Sequence, residues 1–348
     1  MAPSFWHGKS VLVTGHTGFM GGWLAFALAR AGARVTGYAL SPPTDPSFFD
    51  AVDLAGDVAS IEADIRDLNR LSTAMHEAAP EIVFHLAAQP LVRAAHYEPV
   101  ETFAVNVMGT VNVLEAMRGC KSLRAAVLVT TDKVYANREW DWGYREEDRL
   151  GAHEPYGGSK AAAELAVESY RGYFPQAGIA TVRAGNVIGG GDWAAERLVP
   201  DAIRAFARGR TLTLRRPDAV RPFQHVLDPV RGMTLLAERL AEAPGAWTGA
   251  WNFGPEEREA ATVETVAQDL AKLWGDGAVA RAEGESGPPE AKLLTLSSAK
   301  AKAKLGWKPQ WSLARALSET MTWYKSFLSH EKMRAVTARQ IAAFEGVN

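Results

Sequence analysis

Val13-Thr14-Gly15-His16-Thr17-Gly18-Phe19-Met20-Gly21 is the stretch whose reading decides the fold. It overlaps a short apolar run, Ser10-Val11-Leu12-Val13-Thr14, which reads as a buried strand. It opens a pattern at 18–32 in which Phe19, Trp23, Phe26, Leu28 and Ala29 form the apolar side of a helix. Strand, glycine turn and helix form an arrangement with a mechanism. Glycines permit a tight turn and let a pyrophosphate approach backbone N–H groups, and the helix N-terminus adds a partial positive charge. The spacing here is Gly-x-x-Gly-x-x-Gly rather than the tighter Gly-x-Gly-x-x-Gly. It predicts a dinucleotide site, with a purely structural turn as the alternative.

Working outward, apolar runs at 34–40, 60–64, 81–86, 125–130 and 179–183 read as further strands. Helical patterns at 67–78, 101–117 and 155–173 separate the later ones. Strands alternating with helices imply a parallel sheet covered on both faces, and right-handed crossovers make it doubly wound. The expected fold class is therefore α/β: a Rossmann-type doubly wound parallel sheet with a smaller C-terminal lobe. Regular alternation fades after about Asn186, so residues 1–185 are expected to form the dinucleotide-binding domain. Residues 186–348 are expected to form mainly a substrate lobe, with a helix at 225–240 packing back on the sheet.

The length of 348 residues fits this division, since ~150 residues per domain is the usual scale. Lys+Arg number 38 and Asp+Glu 40, a net charge of −2, which argues against nonspecific nucleic-acid binding. The single cysteine, Cys120, rules out an internal disulfide framework and a Cys-rich zinc site, and no metal site is expected. The first residues lack a signal-peptide layout and no run approaches the ~18 apolar residues of a membrane helix, so the expected location is the cytosol.

The usual acidic partner of a dinucleotide ribose, near the end of the second strand, is missing. That strand ends Leu40-Ser41-Pro42-Pro43, and the first carboxylate is Asp45. No arginine stands there to clamp a 2′-phosphate either. Asp64, after the third strand, is placed to accept bonds from an adenine or to cap the following helix.

Tyr156-Gly157-Gly158-Ser159-Lys160 is the second motif. Four positions apart on a helix lie on one face, so the phenol and the ammonium are neighbours. A free phenol has a pKa of ~10, too high for a base at neutral pH. A cation beside it lowers that value and lets it remove a hydroxyl proton. The third element, Thr130-Thr131-Asp132-Lys133, stands where the fifth strand ends, at the edge where such sheets bind ligands. In a continued strand Asp132 points away from Thr131 and Lys133. For all three to meet one substrate, the chain must leave strand geometry here; the alternative is a surface strand end with a local Asp–Lys pair.

Together these residues resemble the extended short-chain dehydrogenase/reductase superfamily. The resemblance runs over nearly the whole chain and is closest to its nucleotide-sugar branch, the CDP-glucose 4,6-dehydratases. It rests on Phe5-Trp6-His7-Gly8-Lys9, His85-Leu86-Ala87-Ala88-Gln89-Pro90-Leu91-Val92-Arg93, Thr131-Asp132-Lys133 and Asn137-Arg138-Glu139-Trp140. It continues in Arg183-Ala184-Gly185-Asn186-Val187-Ile188-Gly189-Gly190-Gly191-Asp192-Trp193, Arg221-Pro222-Phe223-Gln224-His225-Val226 and Trp251-Asn252-Phe253-Gly254-Pro255.

The resemblance implies an enzyme that dehydrates CDP-glucose to CDP-4-keto-6-deoxyglucose with NAD recycled internally. NAD would be held by Gly15, Thr17, Gly18, Phe19, Met20 and Gly21, with Asp64, Ile65, Leu86, Ala87 and Ala88 completing its site beside Tyr156 and Lys160. Tyr156 would take the C4 hydroxyl proton, Thr131 bond the C4 oxygen, and Asp132 act as the acid for the departing C6 hydroxyl. Lys133 stands where related dehydratases carry a Glu base, and Asn106 is the helix asparagine of the superfamily's catalytic set. Gln89, Arg93, Asn186, Arg197 and Arg221 would hold the sugar nucleotide. A homodimer formed through 101–117 and 155–173 is implied too, with no nucleic acid or membrane among the partners.

Four positions depart from the expected pattern. Gly287-Pro288-Pro289-Glu290-Ala291 stands in place of a His-Glu-Ala stretch, and Ser297 replaces an Asp. Val134 and Ala136 replace a Cys and an Asp.

Overall fold

The computed structural model describes residues 3–282 and 291–346, so the departure at 287–290 lies outside the described residues. Seven strands form one sheet: β1 (Ser10–Thr14), β2 (Arg34–Ala39), β3 (Ala59–Glu62), β4 (Ile82–His85), β5 (Ala125–Val129), β6 (Gly178–Arg183) and β7 (Gly249–Asn252). Their spatial order is β7-β6-β5-β4-β1-β2-β3, with every pairing parallel. The chain builds outward from β1 to β3, then returns to start again at β4 on the other side of β1. Crevices at such a reversal open at the carboxyl ends of the strands.

Side chains alternate across a strand, and the core records that alternation. Val11 and Val13 of β1, Phe84 of β4 and Val127 of β5 belong to one buried cluster. Leu12, Val83, Ala126 and Leu128 belong to a second on the opposite face. The second face is covered by α2 (Leu68–Ala78), by the long helical segment 99–118, and by α4 (Pro155–Tyr170), as the sequence pattern implies. Here α1 is Phe19–Arg30 and α3 is Gly109–Arg118, the last part of that segment. The first face is covered by α1 and by later chain.

The division at residue 186 needs correcting in detail. The helix expected at 225–240 is present as α6 (Leu227–Glu242) and packs on β5 and β6, α5 being Leu198–Phe206. It is not the only part to return. Residues 249–252 add the seventh strand to β6, and α8 (Leu313–Leu328) and α9 (Met333–Glu345) join the core of α1. Trp323 of α8 stacks on Phe48, which stacks in turn on Trp23 of α1. The reason is apolar coverage: α1 alone leaves the rest of that sheet face bare. What remains to roof the carboxyl edge is short strand pairs, Val187–Ile188 with Gln224–His225 and Leu212–Leu214 with Val279–Arg281, together with α5 and α7 (Val263–Trp274). No helix among the described residues is long and apolar enough to cross a membrane.

If the C-terminal helices share one core with the sheet, Trp323→Ala lowers the unfolding free energy by about 3–5 kcal/mol, the cost of deleting a buried large aromatic. Urea unfolding followed by both fluorescence and far-UV circular dichroism should show one coincident transition. A separate early transition in the variant would mean that these helices form a unit of their own.

Candidate active site

One cavity of about 960 Å3 runs along the carboxyl edge of the sheet. Its floor at one end is the loop between β1 and α1. Gly15 takes the left-handed φ of 77°, and a Cβ there would lie 2.6 Å from the backbone nitrogen of Ala87. The glycine loop and the chain leaving β4 therefore approach more closely than any side chain allows. A Cβ on Gly21 would lie 2.1 Å from the Gly15 carbonyl, so the first turn of α1 is pressed onto the same loop. Gly18 is the N-cap of α1 and supplies no capping side chain. The first N–H groups of the helix, which have no partner within it, face the cavity wall formed by Gly18, Phe19 and Met20. This is a cradle for a pyrophosphate, and it fits a dinucleotide.

Thr17, Ile65, Leu86, Ala87 and Ala88 line the same end of the cavity, as does Asp64. Asp64 does not cap α2; Asp67 does, accepting from the Arg70 N–H. Nor are the Asp64 oxygens open. Arg66 donates to both, at 2.6 Å for the shortest contact, and holds the carboxyl below its usual range. Past β2 the wall is Leu40, Ser41, Pro43, Thr44 and Asp45, so the first carboxylate after that strand does reach the cavity.

At the centre of the cavity β5 stops at Val129, and Asp132–Val134 form a single helical turn capped by the Thr131 hydroxyl, which accepts from the Lys133 N–H. The departure from strand geometry required by the sequence is thus present. Thr131, Asp132 and Lys133 all line the cavity. Thr131 donates to Asp132 Oδ1 at 3.0 Å, and the Lys133 ammonium stands 3.5 Å from the same oxygen. Asp132 is fully buried, and its Oδ2 has no hydrogen-bond partner. A Cβ on Gly185 would lie 1.9 Å from that oxygen, so only glycine leaves room for the carboxyl there.

Tyr156 and Lys160 reach the cavity from the first turns of α4, on one helix face. The expectation that Lys160 lowers the phenol's pKa is corrected here. Burial comes first and pushes Tyr156 up to about 12; Thr131 and Arg197 act to lower it, while Asp132 and Glu154 act to raise it. Lys160 donates instead to the Val129 carbonyl at 3.1 Å, and burial pushes it down to about 8.

Two residues expected at the site stand behind it. Asn106 lies in a π-helical turn, Ala104–Met108, and does not line the cavity. It accepts from the Gln89 N–H, and its amide donates to the Gln89 carbonyl and to the Ser159 hydroxyl. Ser159 in turn donates to the Tyr156 carbonyl. The Gln89 side chain is occupied by Leu91 and Thr102. Both residues tie the loop after β4 to the start of α4.

The other expected substrate residues do line the cavity. Arg93 pairs with Glu196 at 2.7 Å and Arg197 with Asp192 at 2.9 Å. Arg221 donates to the Ala291 and Lys292 carbonyls. Asn186 takes a left-handed φ of 44°, and its buried Oδ1 has no partner. Ser297 does not line the cavity, so its departure from the family pattern lies away from the chemistry. Sequence reasoning missed Arg215 and Arg216, which line the cavity beside Leu214. It also missed Glu164, although the spacing of eight from Tyr156 puts it on the same helix face.

Comparison with known proteins agrees with this geometry. The chain is 45% identical to the CDP-glucose 4,6-dehydratase of Salmonella typhimurium, over 98% of this chain and 97% of that one. The UDP-glucose 4-epimerase of Thermus thermophilus, solved in complex with NAD, superposes with a TM-score of 0.78 at 25% identity, covering 90% of this chain and 98% of that one. The dTDP-glucose 4,6-dehydratase of Bacillus anthracis shares the fold, with a TM-score of 0.76 at 20% identity, covering 94% of this chain and 99% of that one. Residues 11–254 match the model of the NAD dependent epimerase/dehydratase family, to which this chain belongs.

Proposed function

We propose that the chain dehydrates CDP-glucose to CDP-4-keto-6-deoxyglucose with bound NAD. The observation that carries this reading is the buried, unpartnered Oδ2 of Asp132 in the same cavity as Tyr156. A 4-epimerase needs a base for the C4 hydroxyl but no acid for a departing C6 hydroxyl. The near full-length match to a CDP-glucose 4,6-dehydratase points the same way.

Gly15, Gly18 and the start of α1 would hold an NAD, which would supply the hydride exchange between C4 and C6. The protein's own groups do the rest. Tyr156 accepts the C4 hydroxyl proton as its phenolate, the form towards which Thr131 and Arg197 act against burial, and Thr131 bonds the C4 oxygen. Once C4 is a ketone, the C5 proton is acidic. Its loss with the C6 hydroxyl needs one base and one acid. Asp132 and Lys133 already share the required proton: moving it from the ammonium to the carboxylate across 3.5 Å turns an ion pair into an acid beside a neutral amine. Arg93, Arg197, Arg221 and Asn186 hold the substrate's diphosphate, guanidinium being suited to two phosphate oxygens at once.

A homodimer completes the reading. Val100 (82% exposed), Phe103 and Met108 on the 99–118 segment and Leu165 (63% exposed) on α4 leave apolar side chains in water on neighbouring helices. A matching surface on a second copy would bury them. The reaction belongs in the cytosol, where the buried thiol of Cys120 stays reduced.

Mass spectrometry with NAD and a panel of sugar nucleotides tests the activity. Expected is loss of one water from CDP-glucose and not from UDP-, GDP- or dTDP-sugars, with a solvent deuteron at C5 of the product formed in heavy water. An unlabelled epimer would end the dehydratase reading. Asp132→Asn should lower kcat by about 10²–10⁴-fold, the usual worth of a general acid, while binding CDP-glucose as tightly as the parent. Light scattering should give twice the chain mass of 37.6 kDa, reverting to a single chain in Leu165→Glu.

A further inference from the structure

Glu164 lies one helical turn beyond Lys160 and two beyond Tyr156 on the same face of α4, and it is almost fully buried. Its carboxylate accepts four hydrogen bonds, all from strand ends of the sheet. Oε1 accepts from the Thr130 hydroxyl at 2.6 Å and from Arg183 Nε at 2.9 Å. Oε2 accepts from the Thr181 hydroxyl at 2.8 Å and from Arg183 Nη2 at 2.9 Å. Thr130 directly precedes Thr131 and Asp132. Arg183 continues the network, donating to the Tyr135 hydroxyl at 2.8 Å and to the Glu146 carbonyl at 2.9 Å. Tyr135 follows the Asp132–Val134 turn and donates to Asn252 of β7.

We propose that Glu164 is a positioning residue for the reaction: its carboxylate bolts the helix carrying Tyr156 and Lys160 to the strand end carrying Thr131 and Asp132, and places a carboxylate one helical turn from Lys160. This rests on Tyr156 and Lys160 being the working pair. The two halves of the active site come from separate elements, one a helix and one a strand end. Side-chain rotation alone can displace reacting atoms by an ångström, and an error of that size costs rate heavily. A carboxylate with all four lone-pair directions occupied by donors on both β5 and β6 has no freedom to slide.

The charge argument rests on the same geometry: Lys160 and Glu164 stand one helical turn apart on α4, and both are buried. Burial pushes Lys160 down to about 8, and Glu164 acts against that fall. Burial also works against the Glu164 carboxylate, but Arg183, Thr130 and Thr181 outweigh it and keep Glu164 below the usual carboxylate range. From β5 Lys160 meets only the Val129 carbonyl in hydrogen bonding, and from β4 it faces His85. Burial and Lys160 push His85 down to about 3, so His85 is neutral throughout the working range and offers Lys160 no counter-charge. Tyr156, the remaining titratable group on this face of the helix, has burial pushing it up to about 12 and is neutral there too.

Two variants separate the two roles. Glu164→Gln keeps two acceptor directions and removes the charge. Activity that needs the Lys160 ammonium is present below its pKa and lost above it, so the alkaline limb of kcat/KM should move to lower pH by about one unit. Thr130→Val removes one donor and strands no charge. It should lower kcat by about tenfold with KM for the sugar nucleotide within about twofold, and leave the alkaline limb in place. A merely structural carboxylate would lower stability and leave the limb where it is. Hydrogen exchange at 130–136 reads the same displacement without substrate: faster exchange in Thr130→Val supports the inference even if the wild-type chain turns over no sugar nucleotide. A wild-type alkaline limb in folded Glu164→Gln overturns the charge role. Parental kcat and parental exchange in Thr130→Val overturn the positioning role, and that variant alone decides the matter if Glu164→Gln does not fold.

Discussion

Seven strands that all run one way leave seven carboxyl ends on one edge, and the rest of the molecule follows from that constraint. Each connection must cross back over the sheet before the next strand begins, so the segments that leave the strands gather at this one edge, where a site can be built. The glycine loop, the exit of β4, the Thr131–Lys133 turn after β5 and the Gly185–Asn186 bend after β6 are consecutive occupants of that edge. Their order across the sheet is also the order along the cavity. A dinucleotide laid on the glycine loop therefore points towards Tyr156 and Asp132 without any further arrangement.

Close approach then sets what the edge can hold. Gly15 against Ala87 and Gly185 against the Asp132 carboxyl are places where one methyl group would push apart the walls of the cavity. The two contacts differ in kind. At Gly15 the neighbour is backbone, which cannot give way. At Gly185 it is the buried, unpartnered oxygen of the Asp132 carboxyl, so the absence of a side chain decides where an acid can stand.

How much of this was legible in the sequence varies with the range of the interaction that determines it. The sheet and the glycine loop are short-range: periods of two and 3.6 and a turn read directly from 10–32. The Thr131–Lys133 turn was legible too, because strand alternation forbids the three side chains from meeting unless the chain bends. The return of 249–252 and 313–345 to the sheet was not, since nothing local says which face an apolar helix will cover. Trp23 and Trp323 show the same limit: they are three hundred residues apart and meet only through Phe48. At the site, Asn106 and Gln89 were recognised by position, but their hydrogen bonds turn them to each other and to Ser159. The environment of Tyr156 was read from its neighbour Lys160; burial acts against that reading, and the groups that act to lower the phenol are Thr131 and Arg197.

On the proposed reading, a chain of net charge −2 accommodates an anionic substrate because its cations at the site are placed rather than numerous. Arg93 and Arg197 line the cavity and each already faces a carboxylate, Glu196 and Asp192. Two effects follow. The guanidinium groups are held in place before a ligand arrives, which lowers the ordering cost of binding. An incoming diphosphate must also compete with carboxylates that carry less charge than it does, so the exchange favours the diphosphate while a singly charged anion gains little. Selectivity for a doubly charged bridge then comes from competition at two paired arginines, and it needs no basic surface that would attract polyanions of every kind.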